Sequence, residues 1–239
     1  MKRGMRDSVI WDPQRVHLLI DPDKWQPNDL TAVFSSIPRV VGSIIVGGTF
    51  LHTTNFERVM EQCLKAGLPV GNMVTVGSPA NCISRDASFL LLPVVFGTGS
   101  TRFVFDHIIN AVPIIKLYNL PVVPYAYVML SGGSVTSAEY FTQTIALPRN
   151  KPEILKTLGL TANYLGLEGI YLEAGSGAQN PITPDEVRAV VEGCELPVLA
   201  GGGLRTRGTC EALFNAGATG LIVGTAIEET KSLSWLEDL

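Results

Sequence analysis

The hydrophobic residues of this chain form short runs that are separated by stretches with helical periodicity. Eight runs are rich in β-branched residues, and several are apolar at every position rather than at alternate positions. Continuous apolar runs are typical of parallel strands that are covered on both faces. The pattern predicts strands at Val16–Ile20, Ser43–Val46, Pro69–Met73, Phe89–Leu92, Val122–Val128, Gly169–Glu173, Pro197–Ala200 and Thr219–Val223.

Helical stretches lie between most of these strands. The segment Thr183-Pro184-Asp185-Glu186 combines a capping threonine, a proline at the first helical position and an acid at the third. These residues predict the start of a helix that runs to about Glu192. Other helices are predicted at 56–66, with Thr54 and Glu57 as a capping box, and at 151–165 and 206–216.

The alternation of eight strands with helices predicts a TIM (β/α)8 barrel that occupies residues 1–239 as a single domain. The length agrees with the roughly 250 residues of such barrels. An open doubly wound sheet is the alternative, but evenly spaced units and a phosphate-type loop late in the chain favour the barrel. Val74–Ala87 is short and contains Gly, Ser and Pro, so a full third helix is not expected there.

Composition and charge exclude several functional classes. The net charge is −4, unlike the basic footprint of proteins that bind nucleic acid. No apolar run approaches the roughly 20 residues that a transmembrane helix needs. The four cysteines are scattered without a C-x-x-C pair, which indicates a reduced, cytoplasmic protein. Charged residues make up only 17% of the chain, which favours buried sheet and a subunit interface.

The first candidate site residue follows the first strand, in Ile20-Asp21-Pro22-Asp23-Lys24. The carboxyl ends of barrel strands form the catalytic face. If Asp21 points inward, the two-residue period of a strand also points Leu19 and His17 inward, deeper in the barrel. Asp21 is then placed to hold Mg²⁺, which commonly binds one or two carboxylates plus phosphate oxygens. A helix cap or a surface pair with Lys24 is the structural alternative.

Two further loops carry polar groups at strand ends. Gly47-Gly48-Thr49 closes the second strand, where Thr49 can bind a metal or a phosphate, although paired glycines are also common at structural bends. Tyr171 and Glu173 share parity at the end of the sixth strand, so both can face the barrel mouth. Glu173 is a candidate acceptor of a substrate hydroxyl proton. Its structural alternative is a helix cap or an ion pair.

Glycine loops after the seventh and eighth strands predict a phosphate site. The segments are Gly201-Gly202-Gly203-Leu204-Arg205 and Val223-Gly224-Thr225. In barrel enzymes these two loops bind phosphate through backbone N–H groups and a short helix. Thr225 and Glu228 have the spacing of a capping box. We therefore expect Thr225 to cap the last helix while the N–H groups of Gly224 and Thr225 face the anion.

Five motifs occur in order along residues 16–229. They are Ile-Asp-Pro-Asp-Lys (20–24), Gly-Gly-Thr (47–49), Tyr-Leu-Glu-Ala-Gly-Ser-Gly-Ala (171–178), Gly-Gly-Gly-Leu-Arg (201–205) and Gly-Thr-Ala-Ile-Glu (224–228). This set resembles the geranylgeranylglyceryl phosphate synthase family, which includes the heptaprenylglyceryl phosphate synthases. The resemblance implies a modified TIM barrel in which the third helix is missing or replaced.

The resemblance also implies an activity, the Mg²⁺-dependent transfer of a polyprenyl group from its diphosphate to the 3-hydroxyl of sn-glycerol 1-phosphate. The product is an ether-lipid precursor. Asp21 and Thr49 then correspond to the Mg²⁺ contacts, and Glu173, Tyr171 and Asp21 to the catalytic groups. The glycerol-phosphate site corresponds to Tyr171, Leu172, Glu173, Ala174, Gly175, Ser176, Gly177, Gly202, Gly203, Gly224 and Thr225. The family also implies a homo-oligomer, a dimer or a hexamer, and a lipid product implies work near a membrane surface.

Two segments depart from the family pattern. Leu19 stands two residues before Asp21, where the bacterial heptaprenyl branch resembles Lys-Leu-Asp-Pro-Asp-Lys, and this difference favours the archaeal-type branch. Pro93–Ser100 follows the fourth strand where relatives carry an Asn-containing loop, so a polar contact to the substrate is expected to be lost.

Two other functions remain open from the residues alone. One is a different barrel enzyme that acts on a sugar phosphate, of the aldolase or isomerase type, with Lys24 as amine or Glu173 as base. The other is a non-catalytic barrel that binds a phosphate or a lipid. Apolar and aromatic residues near the middle strands are candidates for a prenyl groove or equally for the core: Met73, Phe96, Ile115, Tyr118, Tyr125 and Tyr127.

Overall fold

The computed structural model describes residues 8–74 and 82–239. Eight parallel strands close into a barrel in chain order, and the last strand pairs with the first. The strands are β1 (Arg15–Ile20), β2 (Val41–Val46), β3 (Val70–Met73), β4 (Phe89–Phe96), β5 (Val122–Met129), β6 (Gly169–Glu173), β7 (Val198–Gly201) and β8 (Gly220–Val223). The predicted TIM barrel is therefore confirmed, and the open doubly wound sheet is excluded.

The α-helices of the described residues surround this barrel. They are α1 (Pro27–Val33), α2 (Phe56–Leu64), α3 (Asp106–Tyr118), α4 (Ser137–Thr142), α5 (Pro152–Tyr164), α6 (Pro184–Gly193), α7 (Arg207–Asn215) and α8 (Thr225–Thr230). Short 3-10 helices lie at Val9–Trp11, Thr101–Phe103 and Ser234–Leu236. None of the helices in the described part of the chain has both the length and the apolarity of a membrane span.

Side-chain alternation along each strand divides the core into two layers. Ile45, Tyr125 and Tyr171 belong to a cluster inside the barrel, whereas their strand neighbours pack in a larger cluster between the strands and the helices. Ile10 and Trp11 close the amino-terminal end of the barrel as part of the inner cluster. This packing leaves the carboxyl ends of the strands as the open end of the barrel.

The parity predicted for the first strand is confirmed by the residues that surround it. Leu19 packs against the inner cluster, and His17 is fully buried in the lower part of the barrel. The Nδ1 atom of His17 lies 2.8 Å from Ser43 Oγ on β2. Burial lowers the pKa of His17 to about 3, so the ring is neutral at physiological pH.

The fourth strand is longer than its sequence indicated. We expected it to end at Leu92, but it continues to Phe96 and pairs with β5 along its whole extension. Along a strand, the backbone N–H and C=O groups of successive residues point alternately to the two neighbouring strands. The backbone of Pro93 therefore points towards β3, as that of Leu91 does, and Pro93 is tolerated there. Among residues 8–74 and 82–239, the last pair on that side is Met73 with Leu91, so the missing N–H of Pro93 removes no hydrogen bond from this ladder.

Helix starts were predicted with mixed success. Thr183 forms the expected capping box with Glu186 at the start of α6. The expected box at Thr54 and Glu57 is wrong, because α2 begins one residue later, after Asn55 as the N-cap. A tertiary contact accounts for the difference, since Asp23 Oδ1 accepts a hydrogen bond from the backbone N–H of Thr53 at 2.8 Å and holds this loop.

The segment between β3 and β4 bears on the expected loss of the third helix. Residues 75–81, half of the segment Val74–Ala87, lie outside the described residues. Residues 82–88 form turns and bends rather than a helix. The described part of the segment agrees with the prediction.

Candidate active site

A cavity of about 560 Å³ opens at the carboxyl ends of the barrel strands. It brings together residues from widely separated motifs: Asp21, Thr49, Tyr171, Glu173, Gly175, Ser176, Gly224 and Thr225. Asp21 therefore lies on the same rim as the late glycine loops, as the sequence required. This arrangement allows a group held near Asp21 to meet a group held by the glycine loops.

A niche of about 20 Å³ extends from this cavity between the ends of β6, β7 and β8. Its lining includes Ser176, Gly202, Gly203, Gly224 and Thr225. The niche shares Leu19, Tyr171 and Glu173 with the larger cavity. Backbone groups of glycine-rich loops at this position are typical of the phosphate sites of barrel enzymes.

Gly202 shows why the niche requires glycine. Its φ of +87° lies in the region that side chains rarely adopt, and a Cβ atom there would stand 2.6 Å from Glu173 Oε1. Gly203 also has a positive φ of +72°. Both residues therefore combine an unusual backbone conformation with a close approach of two loops.

Glu173 is the buried carboxylate at the junction of cavity and niche. Only 8% of the residue is exposed, and burial raises the pKa of its carboxyl group. The hydroxyl of Tyr171 donates to Oε2, and the backbone N–H of Gly175 donates to Oε1 at 2.6 Å; both bonds oppose the rise. A carboxylate with a raised pKa, held by two donors, is well suited to accept a proton from a bound hydroxyl.

Asp21 lines the same cavity as Glu173. Its Oδ1 atom accepts the backbone N–H of Asp23 at 3.0 Å, while Oδ2 stands 3.9 Å from Lys24 Nζ. Lys24 itself pairs with Glu228 at 3.0 Å. Burial raises the pKa of the Asp21 carboxyl group, because partial desolvation outweighs the nearby donors.

Gly48 permits the close approach of two strand ends around Asp21. A Cβ atom at Gly48 would stand 2.8 Å from Asp21 Oδ1, so the second strand end packs directly against the carboxylate. The next residue, Thr49, lines the same cavity. A carboxylate and a hydroxyl oxygen on one edge are hard donors of the kind that Mg²⁺ prefers, and substrate oxygens and water complete such a site.

Metal binding by protein ligands alone is not indicated. Within residues 8–74 and 82–239, no cluster of three or more His, Cys, Asp or Glu side chains has the geometry of a metal site. Asp23 is engaged elsewhere, since its Oδ2 lies 2.8 Å from His52 Nδ1. A cation held by Asp21 and Thr49 would need further oxygens, from a substrate or from water.

The role expected for Thr225 as a helix cap is wrong. Helix α8 begins at Thr225 itself, and Gly224 is the N-cap. The capping box fails because the Glu228 carboxylate turns towards Lys24 on the first strand end. Gly224 and Thr225 nevertheless both line the niche, so their expected position beside the anion is retained.

Comparison with known proteins agrees with this geometry. The model of the PcrB family matches residues 10–237. The chain belongs to the PcrB family. It is 31% identical over 218 residues to the geranylgeranylglyceryl phosphate synthase of Chitinophaga pinensis, covering 90% of this chain and 85% of that protein. It is 30% identical over 237 residues to the synthase of Thermofilum pendens, covering 97% and 91%. The resemblance read from the motifs is confirmed.

Solved structures of similar proteins share the barrel. The synthase of Thermoplasma acidophilum, crystallised in complex with sn-glycerol-1-phosphate, has a TM-score of 0.82 at 23% identity and covers 99% of this chain and 96% of that one. The synthase of Thermoplasma volcanium has a TM-score of 0.78 at 24% identity and covers 95% and 92%. At these identities the likeness concerns the fold.

Two residues of the proposed glycerol-phosphate set point away from the cavity of this PcrB-family chain. Leu172 and Ala174 alternate with Tyr171 and Glu173, so their side chains pack in the outer core. The Ala174 N–H is also occupied, since it donates to Gly201 O at 3.2 Å. Gly177 lies at the edge of the site, where an added Cβ atom would stand 3.7 Å from Thr225 Cγ2.

Sequence reasoning missed the wall that α4 contributes. Residues Ser134–Ala138, Phe141 and Thr142 line the cavity beside the long β4–β5 pair. Thr136 and Glu139 form a capping box at the start of α4, and this T-x-x-E signature was readable in the sequence. His107 is a second missed residue, lining the cavity with Nε2 2.6 Å from Pro93 O.

The candidates for a prenyl groove divide into two groups. Met73, Tyr125 and Tyr127 line the cavity. Phe96, Ile115 and Tyr118 instead pack against the outer core, as the core alternative expects. The division follows the side-chain direction, which residue type alone does not reveal.

Proposed function

We propose that this chain transfers a geranylgeranyl or similar polyprenyl group from its diphosphate to the 3-hydroxyl of sn-glycerol 1-phosphate. One observation carries the proposal: a single cavity joins a glycine-lined niche, a buried carboxylate and Asp21, and continues between apolar walls. Membership in the PcrB family and relatives named geranylgeranylglyceryl phosphate synthase support the same reaction.

In this proposal the phosphate of the acceptor lies at the mouth of the niche, and its glycerol part extends into the larger cavity. Backbone N–H groups of the loops after β7 and β8 bind the phosphate, which leaves the free hydroxyl directed at Glu173. The Glu173 carboxylate takes the hydroxyl proton as the glycerol oxygen attacks the first carbon of the prenyl chain. The bond from that carbon to the diphosphate breaks, and its electron pair leaves with pyrophosphate. Positioning of two bound reactants contributes much of the rate.

Asp21 and Thr49 fit a Mg²⁺ ion that accompanies the diphosphate. Their oxygens lie on the cavity edge, and Oδ2 of Asp21 is too far from Lys24 to be occupied by a hydrogen bond. A bound Mg²⁺ ion would neutralise negative charge on the departing pyrophosphate. Asp21 and Thr49 would hold that ion at the diphosphate end of the donor.

The apolar arm of the cavity fits the prenyl chain. Val95, Phe103 and Met129 form a small buried cluster at its wall, with Tyr127 packed against it. Phe50 and Phe141 stack with ring centroids 4.9 Å apart and an angle of 4° between the planes, and they connect the loop after β2 with α4. A hydrocarbon chain gains about 0.8 kcal/mol for each CH₂ group that it buries.

The aldolase-type alternative receives less support from the site. Lys24 is paired with Glu228 at 3.0 Å rather than directed into an apolar pocket as a free amine. Trapping of a sugar-phosphate adduct on Lys24 with borohydride would favour that alternative over prenyl transfer.

The direct test is incubation with Mg²⁺, sn-glycerol 1-phosphate and prenyl diphosphates of several lengths. We expect pyrophosphate release that requires both substrates, and a prenylglyceryl phosphate in the mass spectrum. Chelation of Mg²⁺ should stop the release. Binding of glycerol 1-phosphate without turnover of any prenyl diphosphate would contradict the proposal and favour a non-catalytic barrel.

A further inference from the structure

The cavity wall beside Glu173 is aromatic. Tyr127 on β5 and Tyr171 on β6 are register partners, and their ring centroids lie 5.4 Å apart. Both side chains point inward and line the cavity. Because Tyr171 is hydrogen-bonded to Glu173, a carbon that is attacked near Glu173 lies close to this wall.

The two tyrosines differ in what their hydroxyl groups do. Tyr171 donates to Glu173, so its hydroxyl belongs to the machinery that holds the base. Tyr127 lies one strand further along the wall and presents its ring to the apolar arm, beside Val95 and Met129. Tyr127 therefore brings an aromatic ring to the cavity without a hydrogen bond to the base.

A third tyrosine supports the orientation of the Tyr127 ring. Tyr125 lies two residues deeper on the same strand, with its ring 6.4 Å from that of Tyr127 at an angle of 83°. Perpendicular pairs of this kind are favourable and hold aromatic rings in one orientation. Tyr125 is 1% exposed, so this support is part of the rigid barrel interior.

The electrostatic surroundings of Tyr127 favour a positive charge. The carboxylates of Glu173 and Glu139 both act on its hydroxyl group, and burial raises the pKa of that hydroxyl well above its ordinary value. Tyr127 is therefore a neutral phenol in a region of negative potential. The face of a neutral aromatic ring attracts a cation within about 6 Å, most strongly where water is excluded.

We infer that Tyr127 is a catalytic residue whose ring face stabilises the positive charge that develops on the first carbon of the allylic diphosphate. The inference rests on the proposed prenyl transfer. Charge appears on this carbon as its bond to the diphosphate breaks and before its bond to the glycerol oxygen is complete. The ring stabilises the transition state more than the neutral ground state, so it raises kcat rather than substrate affinity.

Three kinds of variant separate this role from packing. Tyr127→Phe keeps the ring and removes the hydroxyl, and we expect less than about a threefold change in kcat. Tyr127→Leu keeps apolar volume and removes the ring, and kcat should fall about tenfold to thirtyfold with the KM for glycerol 1-phosphate unchanged. Phenylalanines with increasing fluorine substitution at position 127 should lower log kcat in steps, because fluorine weakens the π face at nearly constant size.

A binding measurement decides the inference without turnover. The probes are a geranylgeranyl dimethylammonium salt with pyrophosphate, and the neutral isostere with carbon in place of nitrogen. The ammonium probe should bind Tyr127→Leu about tenfold more weakly than the wild type, and the neutral probe should bind all variants alike. Equal loss for both probes, or a flat fluorine series, would overturn the inference and assign Tyr127 a packing role. Failure of the wild type to form product would instead count against prenyl transfer itself.

Discussion

The two ends of the barrel use the same strands for opposite purposes, and β1 shows the contrast within four residues. His17 lies at the closed end, fully buried beside Ser43, above the plug formed by Ile10 and Trp11. Asp21 lies at the open end and faces a cavity of about 560 Å³. Burial favours the neutral form of both groups, lowering the pKa of His17 and raising the pKa of Asp21.

The two ends differ in how the free-energy cost of burying an ionisable group is avoided or offset. At the closed end, the imidazole of His17 is neutral and is packed among apolar side chains. The open end keeps carboxylates in partly desolvated surroundings, where a bound cation or a substrate proton relieves the cost. Substitutions at the closed end should therefore change stability, and those at the open end should change activity.

Glu173→Gln should have the largest effect. Loss of the proton acceptor should lower kcat about a thousandfold. The pKa of Glu173 is raised in the folded state, so at neutral pH its charge destabilises the fold and protonation at lower pH relieves the cost. The free energy of unfolding at pH 7 should therefore be higher in the variant, which urea denaturation would measure.

Glu186→Gln is the matched control for that experiment. Glu186 is also a buried carboxylate, but it caps α6 and contacts Arg149 outside the cavity. Its loss should reduce stability and leave kcat near the wild-type value. If both glutamine variants lose activity equally, the special position of Glu173 is refuted. The wild-type kcat should also fall at low pH with an apparent pKa above that of an ordinary glutamate.

Asp21→Asn should have the next largest effect, a loss of activity on the order of a hundredfold, or about 3 kcal/mol of transition-state stabilisation. The Mg²⁺ concentration that gives half-maximal activity should rise, because one carboxylate charge is removed. Asp185→Asn is the control, since Asp185 is 88% exposed at the start of α6. A Mg²⁺ titration unchanged from the wild type would remove Asp21 from the metal site.

The free energy of unfolding should depend on pH through His17 at the closed end. Its pKa falls from 6.5 in the unfolded chain to about 3 in the fold, so the unfolded chain binds more protons below pH 6.5. Stability from this residue is present above that pH and is lost as the pH falls, by about 2 kcal/mol between pH 7 and pH 5. His17→Gln should lack this share of the pH dependence in urea denaturation, whatever its absolute stability. Identical slopes for both proteins would contradict the assignment.

Gly202→Ala should have the smallest effect and should appear in binding. The added Cβ atom meets Glu173 Oε1 and requires a strained φ, so the KM for glycerol 1-phosphate should rise about tenfold. Gly208→Ala in α7 is the control, because a Cβ atom there meets nothing within 4 Å among the described residues. Steady-state kinetics would measure the KM of both variants. An equal KM for Gly202→Ala and Gly208→Ala would contradict a role of the niche in binding glycerol 1-phosphate.

Much of the barrel was readable from the sequence because strand signals are local. The predicted bounds of the sixth strand, Gly169–Glu173, agree with the structure, and the Thr183 capping box is present. The fourth strand was predicted too short, since its final residues depend on pairing with β5 rather than on their own pattern. The Thr54 and Thr225 caps failed because Asp23 and Lys24, distant in sequence, determined the local contacts instead.

The candidate site also has a part that was predictable from the sequence and a part that was not. The sequence by itself determined which residues end the strands, and the shared end of a parallel barrel then required Asp21, Glu173 and the late glycines to converge. Only the tertiary structure decided which side chains face inward together, and so separated Tyr127 from Tyr118 and added α4 to the wall. The physical reason is that strand periodicity is written in neighbouring residues, whereas a cavity is formed by side chains from elements that meet only when the barrel closes.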